Sequence, residues 1–224
     1  MPTHLDRELE TLRRELFSLS AAVEEAVQKA VLAVRRRDAA MARAVVEGDH
    51  EIDRLEVHVE EECLKALALY QPVAHDLRLV IGVLKVNDEL ERIGDLAVNV
   101  AQRAQHLAGL PAIPIPFDFA TMTQRALWML RGSLNALVER DTSLAREVWD
   151  ADDEVDAIYR DAQTAVKDAL RAGSEHVDAL LDLLAVARFI ERLADQATNI
   201  AKDALYLVEG EIMRHRHAEQ AART

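Results

Sequence analysis

The chain has 224 residues, half of them apolar and 30% charged, with a formal charge of −13. That length buries a full core, as one large domain or two small ones. The acidic balance disfavours a generic nucleic-acid binder, which needs a basic face; it suits cation binding, a basic patch on a protein partner, or a plainly solvated surface.

Aromatics make up 4%, and there are only 7 Gly and 5 Pro, a balance that favours long helices over sheet. Cys63 is the only cysteine. It excludes an internal disulfide, and its place in an apolar stripe reads as burial rather than reactivity. The start, "MPTHLDRELE", has no signal-peptide character. The most apolar run, "ALLDLLAVARFI", carries Asp182 and Arg188 and is too short to cross a bilayer. The expectation is a cytoplasmic protein that does not span a membrane.

In chain order, the first helix is predicted from about Asp6 to Arg36. Asp38 reads as the N-cap of a second that runs to about Tyr70. Pro72 fits the first turn of a third, to about Ala108. The stretch "GLPAIPIPFD", 109–118, holds three of the five prolines. Proline removes backbone donors and breaks helices, so this reads as a linker. A fourth helix is predicted over about Phe117–Glu139. Asp141 caps a fifth to about Arg171; Gly173 ends it, and Ser174 caps a sixth to about His215. Apolar stripes at 3/4 spacing, such as Val83, Val86, Leu90, Ile93, Ala97, Val100 and Ala104, mark one buried face per helix. The predicted fold is all-α, two tandem three-helix bundles over 1–108 and 119–224.

The two halves repeat. "ELERIGDLAVNVA" (89–101) aligns without a gap on "FIERLADQATNIA" (189–201), matching Glu91 with Glu191, Arg92 with Arg192, Asp95 with Asp195 and Asn99 with Asn199. "DHEID" (49–53) likewise matches "DDEVD" (152–156). Each half therefore carries two acid pairs spaced i, i+4: Asp49/Asp53 with Glu91/Asp95, and Asp152/Asp156 with Glu191/Asp195. The spacing alone is weak evidence in so acidic a chain. Placement adds to it, because in each half the two pairs are equidistant from the intervening turn, at Pro72 or at Gly173–Ser174. In an antiparallel hairpin, equidistant residues stand at one height. Four carboxylates at one level repel one another unless a cation or a basic partner neutralises them. Oxygen-only ligands suit Mg, Ca or Mn and also hold iron. Asp88, Asn99 and Asn199 extend the stripe as additional ligands.

Two features temper this reading. The acid stripe of the third helix lies about 170° from its apolar stripe, so the acids face outward or into a shallow groove. Arg188 stands where the first half has Asp88. The plain alternative is a set of surface ion pairs with Arg54, Arg92, Lys85, Arg188 or Arg192. The histidines His50, His58, His75, His106 and His176 form no ligating constellation with the acids. "RRR" (35–37) reads as a helix end or a docking patch, and Trp128 and Trp149 as core or inter-bundle contacts. No phosphate loop, nucleophile elbow or Ser-His-Asp order is present.

"ERIGDLAVNVA" and "IERLADQATNIA", with "RELETLRREL", "LALYQPVAHDLRLVIGVLKVNDELERIGD" and "YLVEGEIMRH", resemble the signatures of the PhoU family over almost the whole chain. Ala194 and Gln196 replace the glycine and histidine expected in the second signature. The resemblance implies two tandem three-helix bundles and a cytoplasmic, non-enzymatic, often dimeric protein. It implies a negative regulator of phosphate uptake and of the phosphate-starvation response. Its partners would be the phosphate ABC transporter (ATPase subunit) and the phosphate-sensing histidine kinase. It also implies metal binding (iron, Mn, Mg, Zn or Ca) at Asp49, Asp53, Glu91, Asp95, Asp152, Asp156, Glu191 and Asp195, with no organic cofactor. A carboxylate-bridged metalloenzyme and a metal-free helical scaffold are the alternatives.

Overall fold

The computed structural model describes residues 4–209. They form helices α1 (His4–Arg36), α2 (Ala39–Tyr70), α3 (Ala74–Gly109), α4 (Phe119–Glu139), α5 (Thr142–Asp150), α6 (Asp152–Arg171) and α7 (Val177–Glu209). The fold is all-α: six long rods, the fifth of them broken into α5 and α6. α1–α3 make one three-helix bundle and α4–α7 the second. The bundles lie side by side with α3 against α7, and their buried faces merge into one core.

Local chemistry sets most boundaries. The Asp38 carboxylate accepts from the N–H groups of Ala40 and Met41 and caps α2; Asp141 does the same for α5 through Ser143 and Leu144. These bonds satisfy donors that a helix start leaves free. Asp38→Ala should therefore cost about 1 kcal/mol, read as a lower urea midpoint with an unchanged slope; an unchanged midpoint would refute the capping role. Gly173, at φ +82°, ends α6 as expected.

Four boundaries differ from expectation. Pro72 lies outside α3, which begins at Ala74 after an extended Val73. Asp118, not Phe117, sets the start of α4, its side chain accepting from Thr121 N–H. The Ser174 hydroxyl accepts from His176 N–H in a turn that precedes α7 by three residues. The expected fifth helix breaks at Ala151. This buried alanine donates to Glu147 O, while Glu154 N–H turns back onto its carbonyl. Three acids then fill the first turn of α6, where the N-terminal dipole favours them. The predicted extension to His215 lies outside the described residues.

The α3–α7 seam is antiparallel. Lys85 Nζ meets Asp203 Oδ1 at 2.9 Å near one end. At the other end Asp182, only 4% exposed, takes Arg103 Nη1 at 3.3 Å and a hydrogen bond from His106 Nδ1. Gly82 makes the close approach, since a Cβ there would stand 2.6 Å from Leu207 Cδ1. The "RRR" stretch has a structural use: Arg37 donates through its guanidinium to the carbonyls of Leu107 and Leu110. It thereby satisfies acceptors at the C-terminal end of α3.

Candidate functional site

The hairpin geometry places the first acid group on the facing turns of α2 and α3. Asp49 and Glu91 are half-buried, and Asp53 and Asp95 exposed. Burial pushes the Asp49 carboxyl up, and the charges of Asp53 and Asp95 push it further. Burial likewise raises Glu91, with Asp95, Glu56 and Asp53 adding to it. In the second half Asp152, Asp156 and Glu191 are half-buried and Asp195 is exposed. Asp152 is pushed up to about 6 by burial and then by Asp195 and Asp156, against the pull of Lys202. Burial also raises Glu191 and Asp195, and the neighbouring acids reinforce it. Each set of four is thus a mutually repelling cluster, the arrangement that disfavours ionised carboxylates.

Basic side chains nearby go elsewhere. Arg54 pairs with Glu51, Lys85 with Asp203 and Arg92 with Glu89. Among the described residues none of the eight clustered acids makes a salt bridge. Arg188, the counterpart of Asp88, does weigh on Glu191 and makes the second cluster less negative. Among the described residues no three His, Cys, Asp or Glu side chains already stand together as a metal-binding group. The carboxylates are near enough for their charges to act on one another, but among the described residues they do not close on one point.

The remaining candidates divide. Asp88 is exposed and adds charge beside Glu56. Asn199 turns instead to the seam, where it favours the ionised Glu89 carboxylate; Asn99 also faces the seam. Glu56 belongs to the first cluster although the sequence reading passed over it. Burial raises its carboxyl, followed by Glu60, Asp88 and Asp53, and buried Asn87 donates to its carbonyl at 3.0 Å. Its signal was present: Glu56 and Asp88 are equidistant from Pro72, as Asp53 and Glu91 are.

Cys63 is fully buried, and burial pushes its thiol up to about 12, so it is inert as a thiolate. Lys202 sits over the Trp149 ring and Arg125 over Trp128, both rings packed on the core. Among the described residues no helix is long and apolar enough to cross a membrane.

Two copies of a three-helix unit, each with a carboxylate cluster on its last helical hairpin, define an all-helical internal-repeat protein. The model of the PhoU domain matches residues 16–104 and 119–204, one copy per half. The chain belongs to the PhoU family, whose members are regulatory and accessory proteins and not enzymes. It is 36% identical over 216 residues to the phosphate-specific transport system accessory protein PhoU homolog of Aquifex aeolicus, covering 96% of this chain and 98% of that one. It is 31% identical over 208 residues to the PhoU accessory protein of Escherichia coli, covering 93% and 86%. The crystal structure of PhoU from Pseudomonas aeruginosa superposes with a TM-score of 0.90 at 33% identity, over 93% of this chain and all of that one.

Proposed function

We propose that this protein is a negative regulator of phosphate uptake and of the phosphate-starvation response. In this reading it acts in the cytoplasm as a metal-binding adaptor. It links the phosphate ABC transporter, through its ATPase subunit, to the phosphate-sensing histidine kinase. Membership of a family named for phosphate-specific transport supports the pathway. The observation that carries the adaptor reading is the pair of carboxylate clusters that have no ion-pair partners among the described residues.

Their donor set fits a hard cation. Asp49, Asp53, Glu91 and Asp95 would hold one, and Asp152, Asp156, Glu191 and Asp195 another, with Asp88 beside the first. All-oxygen ligands suit Mg, Ca or Mn and accept iron or Zn. A bound cation would supply positive charge that relieves the repulsion and attracts anionic partner groups. The chain's own part is to hold four carboxylates at one level and keep their counter-ion positions open. In the same reading 109–118 link the two bundles, and a second copy of the chain makes a homodimer. Exposed Leu64, Leu69, Val73, Leu77 and Ile81 around the α2–α3 turn supply apolar surface for that pairing.

The test is complementation. A strain lacking the gene should show derepressed phosphate uptake, and the wild-type protein should restore repression. The quadruple variant Asp49→Asn/Asp53→Asn/Glu91→Gln/Asp95→Asn should fail to restore it. Elemental mass spectrometry of the same purified variant should show roughly half the wild-type metal content, since one of two clusters remains. Unchanged uptake in the deletion strain sinks the regulatory role. Full repression by the variant sinks the role of the carboxylates and leaves a scaffold.

A further inference from the structure

The two ends of the α3–α7 seam are closed by charged pairs, Lys85–Asp203 at one and Arg103 and His106 on Asp182 at the other. The middle is open. A groove of about 220 Å³ lies there, lined by Arg92, Asp95, Leu96 and Asn99 of α3 and by Arg192 and Gln196 of α7. Arg92 and Arg192 are repeat counterparts, so the internal symmetry brings one guanidinium to the groove from each half.

The polar groups around this groove are under-used. Arg192 has no ion pair among the described residues, although its charge favours ionised Asp195. Among the described residues Arg92 is held only by Glu89 Oε1, at 3.6 Å. Gln196 Oε1 is buried with no hydrogen-bond partner among the described residues. The symmetry is also broken where it matters: Asn199 is turned to Glu89, whereas the counterpart of Glu89 is Phe189, which offers Asn99 no carboxylate.

Two arginines and side-chain amides lining one groove supply donors suited to the oxygens of a tetrahedral oxyanion, which guanidinium binds through paired charge-assisted bonds. The Asp95 carboxylate would repel a fully ionised anion. Gln196 Oε1, buried and without a hydrogen-bond partner among the described residues, would accept a hydrogen bond from an anion that still carries an O–H. At neutral pH inorganic phosphate keeps at least one P–O–H, while sulfate keeps none. We propose that the mid-seam groove, with Arg92 and Arg192 on the charged oxygens and Gln196 Oε1 on the P–O–H, is a binding site for inorganic phosphate that discriminates against sulfate. The carboxylate clusters on either flank lower the potential there, so the affinity is modest. The proposal stands on the groove itself and rests on the proposed regulatory role only for its physiological meaning.

The experiment titrates the full chain, stripped of metal by chelation, with inorganic phosphate and, at matched ionic strength, with sulfate, followed by calorimetry. Saturable phosphate binding with Kd on the order of 1 mM is expected, with sulfate at least about tenfold weaker. Arg192→Gln, an exposed position, should weaken phosphate about tenfold with unchanged circular dichroism; Arg92→Gln is the second variant should the first misfold. Gln196→Leu, which removes the acceptor for the P–O–H, should narrow the gap between phosphate and sulfate.

Three results would overturn the proposal: no saturation by about 20 mM phosphate, equal binding of the two anions, or full phosphate affinity in both arginine variants. Arg192→Gln should keep wild-type metal content, because Arg192 donates nothing to a cation. A failed phosphate titration therefore leaves the metal reading standing, and absent metal leaves the groove standing.

Discussion

The double variant Arg103→Ala/His106→Ala should lose about 3 kcal/mol of stability, a fall in Tm of about 6–12 °C for a chain of this size. Asp182 is 4% exposed and sits in the seam between the bundles. Its carboxylate takes Arg103 Nη1 at 3.3 Å and a hydrogen bond from His106. Removing both partners strands a buried charge, which costs far more than a surface pair is worth. The loss sits at the lower end of the range because Arg103 and His106 are half-exposed, so water reaches the carboxylate once they are trimmed. Adding Asp182→Leu to the double variant should return at least half of the loss, since the buried charge is then gone. A triple variant less stable than the double would show that the cost is packing and not charge.

Asp152→Asn should have the opposite sign. The folded Asp152 carboxyl is raised from 3.8 to about 6, by burial first and by Asp195 and Asp156 after it. A group raised on folding contributes stability that is fully present below its unfolded pKa. That contribution is lost as pH rises through the folded value. The wild-type protein should therefore lose stability between about pH 4 and pH 6 relative to the variant, and the difference should hold constant above. Two pKa units correspond to about 3 kcal/mol at full strength. The side chain is half-exposed, and the N-terminal dipole of α6 favours its charge by a few tenths of a kcal/mol. About 1 kcal/mol of net stabilisation should remain at pH 7.5, or about 2–4 °C in Tm. Melts in chelator at pH 3.5 and 7.5 decide it. Equal melting of variant and wild type at pH 7.5 would mean that the clustered charge is already relieved.

These two residues also show how sequence and tertiary structure divided the information. Asp152 was legible because it belongs to a hairpin. A helical period of 3.6 and a short turn tie residues on either side of Pro72, or of Gly173, to one height, so chain distance translates into space. The same rule would have found Glu56, which stands as far from Pro72 as Asp88 does. The apolar stripes, the Asp38 and Asp141 caps and the repeat of two bundles are legible for the same reason: each rests on residues three or four apart, or on one turn.

Asp182 was not legible, and in the sequence it is only one more acid within the apolar run of α7. Its partners lie across a seam between helices that belong to different halves, and no turn ties their heights together. The pairing of Lys85 with Asp203, the turn of Arg37 onto the α3 terminus and the groove between Arg92 and Arg192 were hidden alike. The break at Ala151 also escaped, because that residue keeps helical dihedrals and is a strong helix former. The sequence by itself determined the helices, the two bundles and the level at which the carboxylates gather, since those follow from local periodicity and short connections. Only the tertiary structure decided which charges pair, which stay open and where the two halves meet, because those depend on packing between side chains about a hundred residues apart.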